Sequence, residues 1–497
     1  MTTKKSTKNK LVSIKKSPKP LGKPMKGRDV IVKALGNEGV KVIFGYPGGT
    51  SMEIHQGLTL APKIRMVLPR HEQGGAFAAG GYARSTGEVG VCMATSGPGA
   101  TNLITGIIDA KMDSIPIVAI TGQVASTLLG SDAFQETDIM GATFPLVKHS
   151  YMIQNVAEIP QVIHNAFHIA RTGRPGPVLV DIPKNIQQQE GIADFNVTFD
   201  CPSYRPNLKP SVLQCKKAAH AIQTAKRPII YAGGGIVCSG ASQELRALVK
   251  KTGIPVTTTA MGLGIFPSND PLSLRMLGMH GAVYANIAIN HADLVIAAGV
   301  RFDDRVTGKL AEFCKDAQII HIDIDPTEIN KNILVDIPIQ GDVKQALKII
   351  HGYVEPKKDI KPWIKQLNDW KKEFPLEFKP KKGEIVPQSV ISEVNKLADD
   401  DAIFSVGVGQ HQMWSAQFLD FNEPNNWLCS SGLGAMGFGL PAAMGAQVAF
   451  PNRQVINIEG DGSFLMNIQE LQTLKIENIP VKNIILNNAH LGMVAQW

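Results

Sequence analysis

Short apolar runs that end in glycine-rich turns, each followed by a stretch with apolar residues at helical spacing, recur along most of the chain. In the first third they lie at 40–44, 64–68, 89–94 and 115–121, and in the second at 228–232, 254–258, 294–298 and 318–324. The last third has them at 402–406, 454–458 and 481–486. Runs of this length bounded by glycine read as strands, and their alternation with helical stretches predicts doubly wound parallel sheets of the α/β class. Two stretches break the rhythm. Residues 185–210 lose periodicity and collect Gln, Asn and Pro, which reads as a linker. Residues 355–387 are charged and carry Trp363 and Trp370 seven apart, which predicts an amphipathic helix lying on a neighbour within a longer connection. The chain thus divides into a tail at 1–26, α/β domains at 27–190, 205–350 and 386–497, and a linker at 351–385.

The last domain carries the most informative unit. A strand at 454–458, helical spacing over 464–476 and a strand at 481–486 form a β–α–β unit, whose crossover is right-handed in nearly every known case. Its strands therefore run parallel, and Gly460-Asp461-Gly462-Ser463 and Asn487-Asn488 emerge together at the carboxyl edge of one sheet, where open α/β sheets bind ligands. The Asp461 carboxylate and the Asn488 amide oxygen are hard donors suited to magnesium, which keeps part of its shell for phosphate and water. Glycines let a diphosphate approach the backbone, and a helix start donates free amides. Asp-Gly and Asn-Asn are also common turn pairs, so two unrelated turns are the plainer alternative. In its strand–helix–strand context the pattern resembles the thiamine-diphosphate signature, in which a metal clamps the diphosphate.

Length and charge fit this picture. The 497 residues suggest about three domains. Residues 1–26 hold nine lysines and no acid, so the net charge of +8 belongs to the tail and the remainder is close to neutral. The charge balance therefore argues for neither nucleic acid nor an acidic partner of the folded part. Ser, Thr and Pro between the lysines predict a disordered tail. Organelle import is the minority reading, because targeting segments favour arginine over lysine. No run approaches the roughly 18 apolar residues of a membrane span. Six scattered cysteines without a Cys-x-x-Cys pair fit buried thiols in a reducing, cytoplasmic compartment, not a disulfide frame or a zinc site.

In the first third, Arg70-His71-Glu72-Gln73 follows the 64–68 strand and opens a helix rich in Gly and Ala that can pack closely on neighbours. Read alone, Glu72 caps that helix. The chain also contains Tyr-Pro-Gly-Gly (46–49), Gly-Tyr-Ala-Arg (81–84), Thr-Ser-Gly-Pro-Gly (95–99), Asp-Ala-Phe-Gln-Glu (132–136) and Arg-Pro-Gly-Pro-Val-Leu-Val-Asp-Ile-Pro-Lys (174–184). In this order and spacing the motifs resemble the acetohydroxyacid synthase (acetolactate synthase) family of catalytic subunits, from about residue 27 to the last.

The resemblance implies three domains that bind, in turn, the pyrimidine of thiamine diphosphate, FAD that is not used for redox, and the diphosphate with Mg2+. It assigns Glu72 to cofactor activation through the pyrimidine ring nitrogen, and Gln123 to the oxyanion formed on the keto group. Phe134, Gln135 and Lys184 would line the 2-keto acid channel, although spacing alone reads Phe134 as core and Lys184 as a surface lysine. For FAD it points to Gly233, Gly234, Gly235, Thr259, Met261, His280, Gly299, Arg301, Asp323 and Asp342. Without the family, a glycine triplet after a strand is no better than a plain turn. Arg305 would grip the carboxylate of the second keto acid, against a plainer pairing with Asp303 or Asp304. The Val408, Gly409, Gln410 and His411 loop, with Gly462 and Ser463, would meet the diphosphate, and Asp461, Asn488 and His490 the metal. The Gly434 carbonyl would accept from the cofactor's amino group, and Met436 would wedge the cofactor into a bent shape, where a core filler is the alternative. Trp497 would favour 2-ketobutyrate as acceptor, and the C-terminal domain is expected to be incomplete at its end.

The chain also departs from the family. Ala125 stands where Gly-Gln-Val-Pro usually has its proline, at the mouth where sulfonylurea-type herbicides bind. Phe77 and Gly80 stand where histidine and an acid are more common. The expected reaction decarboxylates pyruvate and condenses the two-carbon product with a second pyruvate or with 2-ketobutyrate, in branched-chain amino-acid synthesis. One cofactor must touch both Glu72 and Asp461, and the resemblance implies that the two come from different subunits, hence at least a homodimer. A small regulatory subunit is a further expected partner. The alternatives are another FAD and thiamine-diphosphate enzyme, such as a pyruvate oxidase or carboligase, and a truncated non-catalytic scaffold.

Overall fold

The structure is a computed structural model that describes residues 22–496 except 62, 357–359 and 381. Residues 1–21 of the basic tail, and Trp497, lie outside the described residues.

Each third of the chain builds one parallel sheet flanked by helices. The first has six strands, in the order Arg65–Val67, Val42–Gly45, Gly90–Ala94, Ile117–Gln123, Val178–Pro183 and His149–Met152. Its central strands are buried from end to end, as strands covered by helices on both faces must be. The helix Ile159–Arg171 shows how the cover forms: Ile159, Ile163, Ala166, Phe167 and Ala170 recur at helical spacing and are all buried on the sheet. Met25–Lys26 pairs antiparallel with Glu190–Gly191, so the last two residues of the expected tail are part of the fold.

The second sheet runs Ser273–Met276, Val256–Thr258, Pro228–Ala232, Leu294–Ala298, Gln318–Asp323 and Ile337–Gln340. The helix Lys361–Glu373 belongs to this body: Trp363 is buried in its core and its indole N–H donates to the Pro228 carbonyl at 3.2 Å. The third sheet has four strands, Trp427–Cys429, Ile403–Val406, Val455–Gly460 and Lys482–Leu486. Its crossover differs from the single helix expected over 464–476. Two short helices, Asp461–Leu465 and Glu470–Ile476, stand there instead. In the break between them the Asn467 amide donates to the Gly437 carbonyl at 2.8 Å, a tertiary bond that outweighs continued helix.

The first and third domains meet through the helices Glu72–Thr86 and Gly439–Ala449. A Cβ on Gly81 would come within 2.2 Å of the Ala442 carbonyl oxygen, and one on Gly445 within 1.9 Å of that of Ala78. Only glycine allows this approach. Phe77, one of the departures from the family, is buried here edge-on to Phe438 with ring centres 5.5 Å apart. The other, Gly80, has open space where a side chain would stand, and nothing in the structure explains it. Arg275 ties the middle domain to the third: its guanidinium pairs with Asp420 at 2.5 Å and donates to the Gln417 carbonyl at 3.2 Å.

Candidate active site

At the carboxyl edge of the third sheet, Gly460 is in register with Leu486, so Asp461 and the 487–490 loop leave neighbouring strand ends. Asp461 opens the first short helix. Ser463 is buried, and its hydroxyl accepts from the Val408 amide at 3.4 Å and the Gly437 amide at 3.0 Å. That one side chain ties the 407–409 turn, which opens the helix Gln410–Phe418, to the loop carrying Gly434 and Met436. Gly434 has φ +69°, a left-handed conformation that favours glycine. His411 is buried, and desolvation pushes its imidazole down to about 4. Its Nε2 faces the Glu459 carboxylate at 3.8 Å, and among the described residues neither that nitrogen nor Glu459 Oε2 has a hydrogen-bond partner. Burial pushes Glu459 up to about 7.

Asp461 and Asn488 thus follow neighbouring strand ends, and a carboxylate with an amide oxygen is a hard donor set of the kind that fits magnesium. Asn488 and His490 are nevertheless bonded to each other: the His490 backbone amide donates to Asn488 Oδ1 at 3.1 Å and its ring Nδ1 to the Asn488 carbonyl at 2.5 Å. Among the described residues, no three His, Cys, Asp or Glu side chains cluster as metal ligands.

At the corresponding edge of the first sheet, Glu72 is the first residue of its helix, half-buried, and accepts from the Asn102 amide at 3.0 Å. Its other oxygen lies against Gly99 of the 95–99 loop, and Gln135 packs on Gly97 of that loop. Phe134, by contrast, is 89% exposed, so the reading of it as core is wrong. Lys184 opens the helix Lys184–Gln188, half-buried and without a hydrogen-bond or ion-pair partner among the described residues. Gln123 is buried, and its Nε2 donates to the Thr137 carbonyl at 2.9 Å and to Asp181 at 3.0 Å. Both amide hydrogens are therefore engaged, and donation to a substrate oxygen requires that one be released. Asp181 is a residue the sequence reading overlooked. It also accepts from Thr121 at 2.7 Å, and burial pushes it up to about 7.

A cavity of about 680 Å³ lies where the three domains meet. Gly234, Gly235, Thr259, Met261, His280, Gly299, Arg301, Asp323 and Asp342 all stand on its wall, together with Arg305 and Gly434. Gly233 lies just behind it, where a Cβ would meet the Gly299 carbonyl at 2.5 Å. Residues from all three domains thus converge on one space with glycine backbone on its wall, where a ligand can approach closely, which fits a dinucleotide. Arg305 is 67% exposed and only loosely paired with Asp304, at 3.8 Å, so its guanidinium is free to take a carboxylate. Arg174 and Cys238 also face the cavity and were not anticipated. Arg174 pairs with Glu328 at 2.7 Å and Asp325 at 3.2 Å. All six cysteines are free; four are buried, while Cys201 is half-buried and Cys238 exposed, contrary to the expected burial.

Comparison with known proteins agrees with this layout. Residues 25–142 match the family described as thiamine pyrophosphate enzyme, N-terminal TPP binding domain; 215–350 match the central domain and 407–497 the C-terminal TPP binding domain. The chain belongs to the thiamine pyrophosphate enzymes. Over 481 residues, 95% of this chain, it is 54% identical to acetolactate synthase 3, chloroplastic, of Brassica napus and to acetolactate synthase, chloroplastic, of Arabidopsis thaliana, covering 74% and 72% of them. Acetolactate synthase 1, chloroplastic, of Oryza sativa subsp. japonica is equally similar, with 74% covered. Within the class, the chain is a member of the acetolactate synthase family, thiamine-diphosphate-dependent carboligases. Among the described residues, no helix is long and apolar enough to cross a membrane.

Proposed function

We propose that the chain is a catalytic subunit that decarboxylates pyruvate and joins the two-carbon product to a second pyruvate or to 2-ketobutyrate, feeding branched-chain amino-acid synthesis. The observation that carries this reading is the pair of half-sites, Glu72 at one sheet edge and Asp461 at another, in a chain of this family. Thiamine diphosphate supplies a carbon acid that can attack a keto group and hold the electrons left by carbon dioxide.

The protein's residues hold and aim it. Asp461 and the oxygens of the Asn488–His490 loop would hold Mg2+, and the amides at 408–411 with Gly462 and Ser463 the diphosphate. The Gly434 carbonyl would accept from the amino group, with Met436 beneath the bend. Glu72 would hold or pass a proton at the pyrimidine ring nitrogen, and Asn102, bonded to one of its oxygens, leaves the other for that contact. Gln123, held by Asp181, is placed to release one N–H toward a developing oxyanion. Arg305 pairs with the acceptor's carboxylate while Gln135, Phe134 and Lys184 border its entry. FAD would occupy the inter-domain cavity, which supports that role by its volume and its glycine walls. Because the two half-sites serve one cofactor from different subunits, the working unit is a homodimer or larger. A small regulatory subunit is a further partner, and the scattered, unpaired cysteines support a reducing, cytoplasmic compartment, with organelle import the minority alternative. Organelle import of a tagged chain would overturn that location.

The test is product analysis with pyruvate, alone and with 2-ketobutyrate, in the presence of thiamine diphosphate, Mg2+ and FAD. Acetolactate and acetohydroxybutyrate are expected. Acetaldehyde or an acetyl product without either would overturn the reading.

A further inference from the structure

Two buried carboxylates cross between the first and third domains in opposite directions. Glu470, fully buried on the third domain, accepts from the backbone amides of Arg70 at 2.9 Å and His71 at 3.1 Å, the two residues that precede Glu72. Thr473 donates to its second oxygen at 2.9 Å and so fixes the carboxylate. Asp113, buried on the first domain, accepts from the amides of Ser431 at 3.0 Å and Gly432 at 2.7 Å, at the start of the loop that carries Gly434 and Met436. Arg84 holds Asp113 at 3.0 Å. There is no slack at either place. A Cβ on Gly74 would come within 2.5 Å of Glu470, and one on Gly432 within 3.0 Å of Asp113.

We infer that Glu470 and Asp113 are reciprocal positioning residues: each domain uses one buried carboxylate to clamp two consecutive amides of the loop that carries the other domain's cofactor-facing group. The inference rests on the proposed roles of Glu72, Gly434 and Met436. An anionic acceptor shared by two successive N–H groups is strong and directional, and it fixes backbone rather than a side chain that could rotate away. Neither carboxylate touches the cofactor; each acts through the loop it holds. Their effects therefore separate. Loss of Glu470 frees the acid at the pyrimidine end, and loss of Asp113 frees the loop that cradles the middle of the cofactor.

The test uses the full chain as Glu470→Gln and Asp113→Asn, with Gly74→Ala as a second route to displacing Glu470 without removing it. Hydrogen exchange of the protein without cofactor comes first. Protection at Arg70 and His71 should fall about tenfold in Glu470→Gln and Gly74→Ala, and at Ser431 and Gly432 in Asp113→Asn, with distant amides unchanged. Thiamine-diphosphate affinity and the rate of deuterium uptake at its thiazolium carbon come next. Glu470→Gln should slow uptake about tenfold with affinity kept, and Asp113→Asn should weaken affinity about tenfold. Unchanged protection at both loops, or equal loosening across the whole chain, would overturn the inference. A Glu72→Gln control keeps the two readings apart. If it leaves deuterium uptake untouched, the assignment of Glu72 fails, and the clamps stand or fall on amide exchange alone.

Discussion

Removing Arg84 should expose how much of the contact between the first and third domains rests on charge. Its guanidinium lies over the Phe438 ring at 5.0 Å and reaches Asp109 at 2.6 Å and Asp113 at 3.0 Å. All three side chains are 3% exposed or less, so no solvent screens them. Arg84→Met keeps most of the volume and leaves two buried carboxylates without a cation, which costs about 3–5 kcal/mol near neutral pH. The pH dependence has a definite sign. Burial already pushes Asp109 up to about 6, against Arg84, which pulls it down. A carboxyl that holds its proton more tightly when folded contributes stability that is present below its unfolded value and is lost as pH rises through the folded one. Without Arg84 that window moves to higher pH. The loss should therefore be largest near pH 8 and shrink toward pH 5.5, by about 1.4 kcal/mol per pH unit for each carboxylate that takes up a proton. Urea unfolding followed by tryptophan fluorescence at both pH values measures it. An equal loss at the two, or one below about 1 kcal/mol at pH 8, would show that the triad is wet or replaceable.

Three further outcomes test other parts of the molecule. Glu72→Gln should fold as the parent, since its amide oxygen still accepts from Asn102, and should lose roughly two to four orders of magnitude in acetolactate formation; full activity would remove Glu72 from the mechanism. Phe77→Ala deletes a fully buried ring packed on Phe438 and should cost about 3–5 kcal/mol in thermal or urea unfolding. Arg305→Met should raise the KM for the acceptor keto acid at least about tenfold while leaving the unfolding midpoint alone, because its ion pair with Asp304 is loose and exposed; unchanged KM for both acceptors would assign Arg305 to the surface.

What could be read from the sequence followed from how each feature is encoded. Strands buried on both faces are continuous apolar runs, so 228–232 and 294–298 were legible to the residue. Four of the overlooked strands, His149–Met152, Ser273–Met276, Ile337–Gln340 and Trp427–Cys429, all lie at sheet edges, where three or four residues are too short a run to stand out. Another, Val178–Pro183, is central, but Asp181 interrupts its apolar run and Pro183 closes it. That interruption was itself the available signal, as was Glu459 at the end of its buried strand: a carboxylate inside an apolar run needs a partner. The nearby motif residues were legible because a turn and its ligands are contiguous. The clamps were not, since Asp113 and Gly432 are 319 residues apart and Arg70 and Glu470 are 400 apart. A carboxylate whose partners are backbone amides on another domain leaves no pattern around itself. The chemistry at the two sheet edges is thus written locally, whereas the geometry that aims it is written across the whole length of the chain.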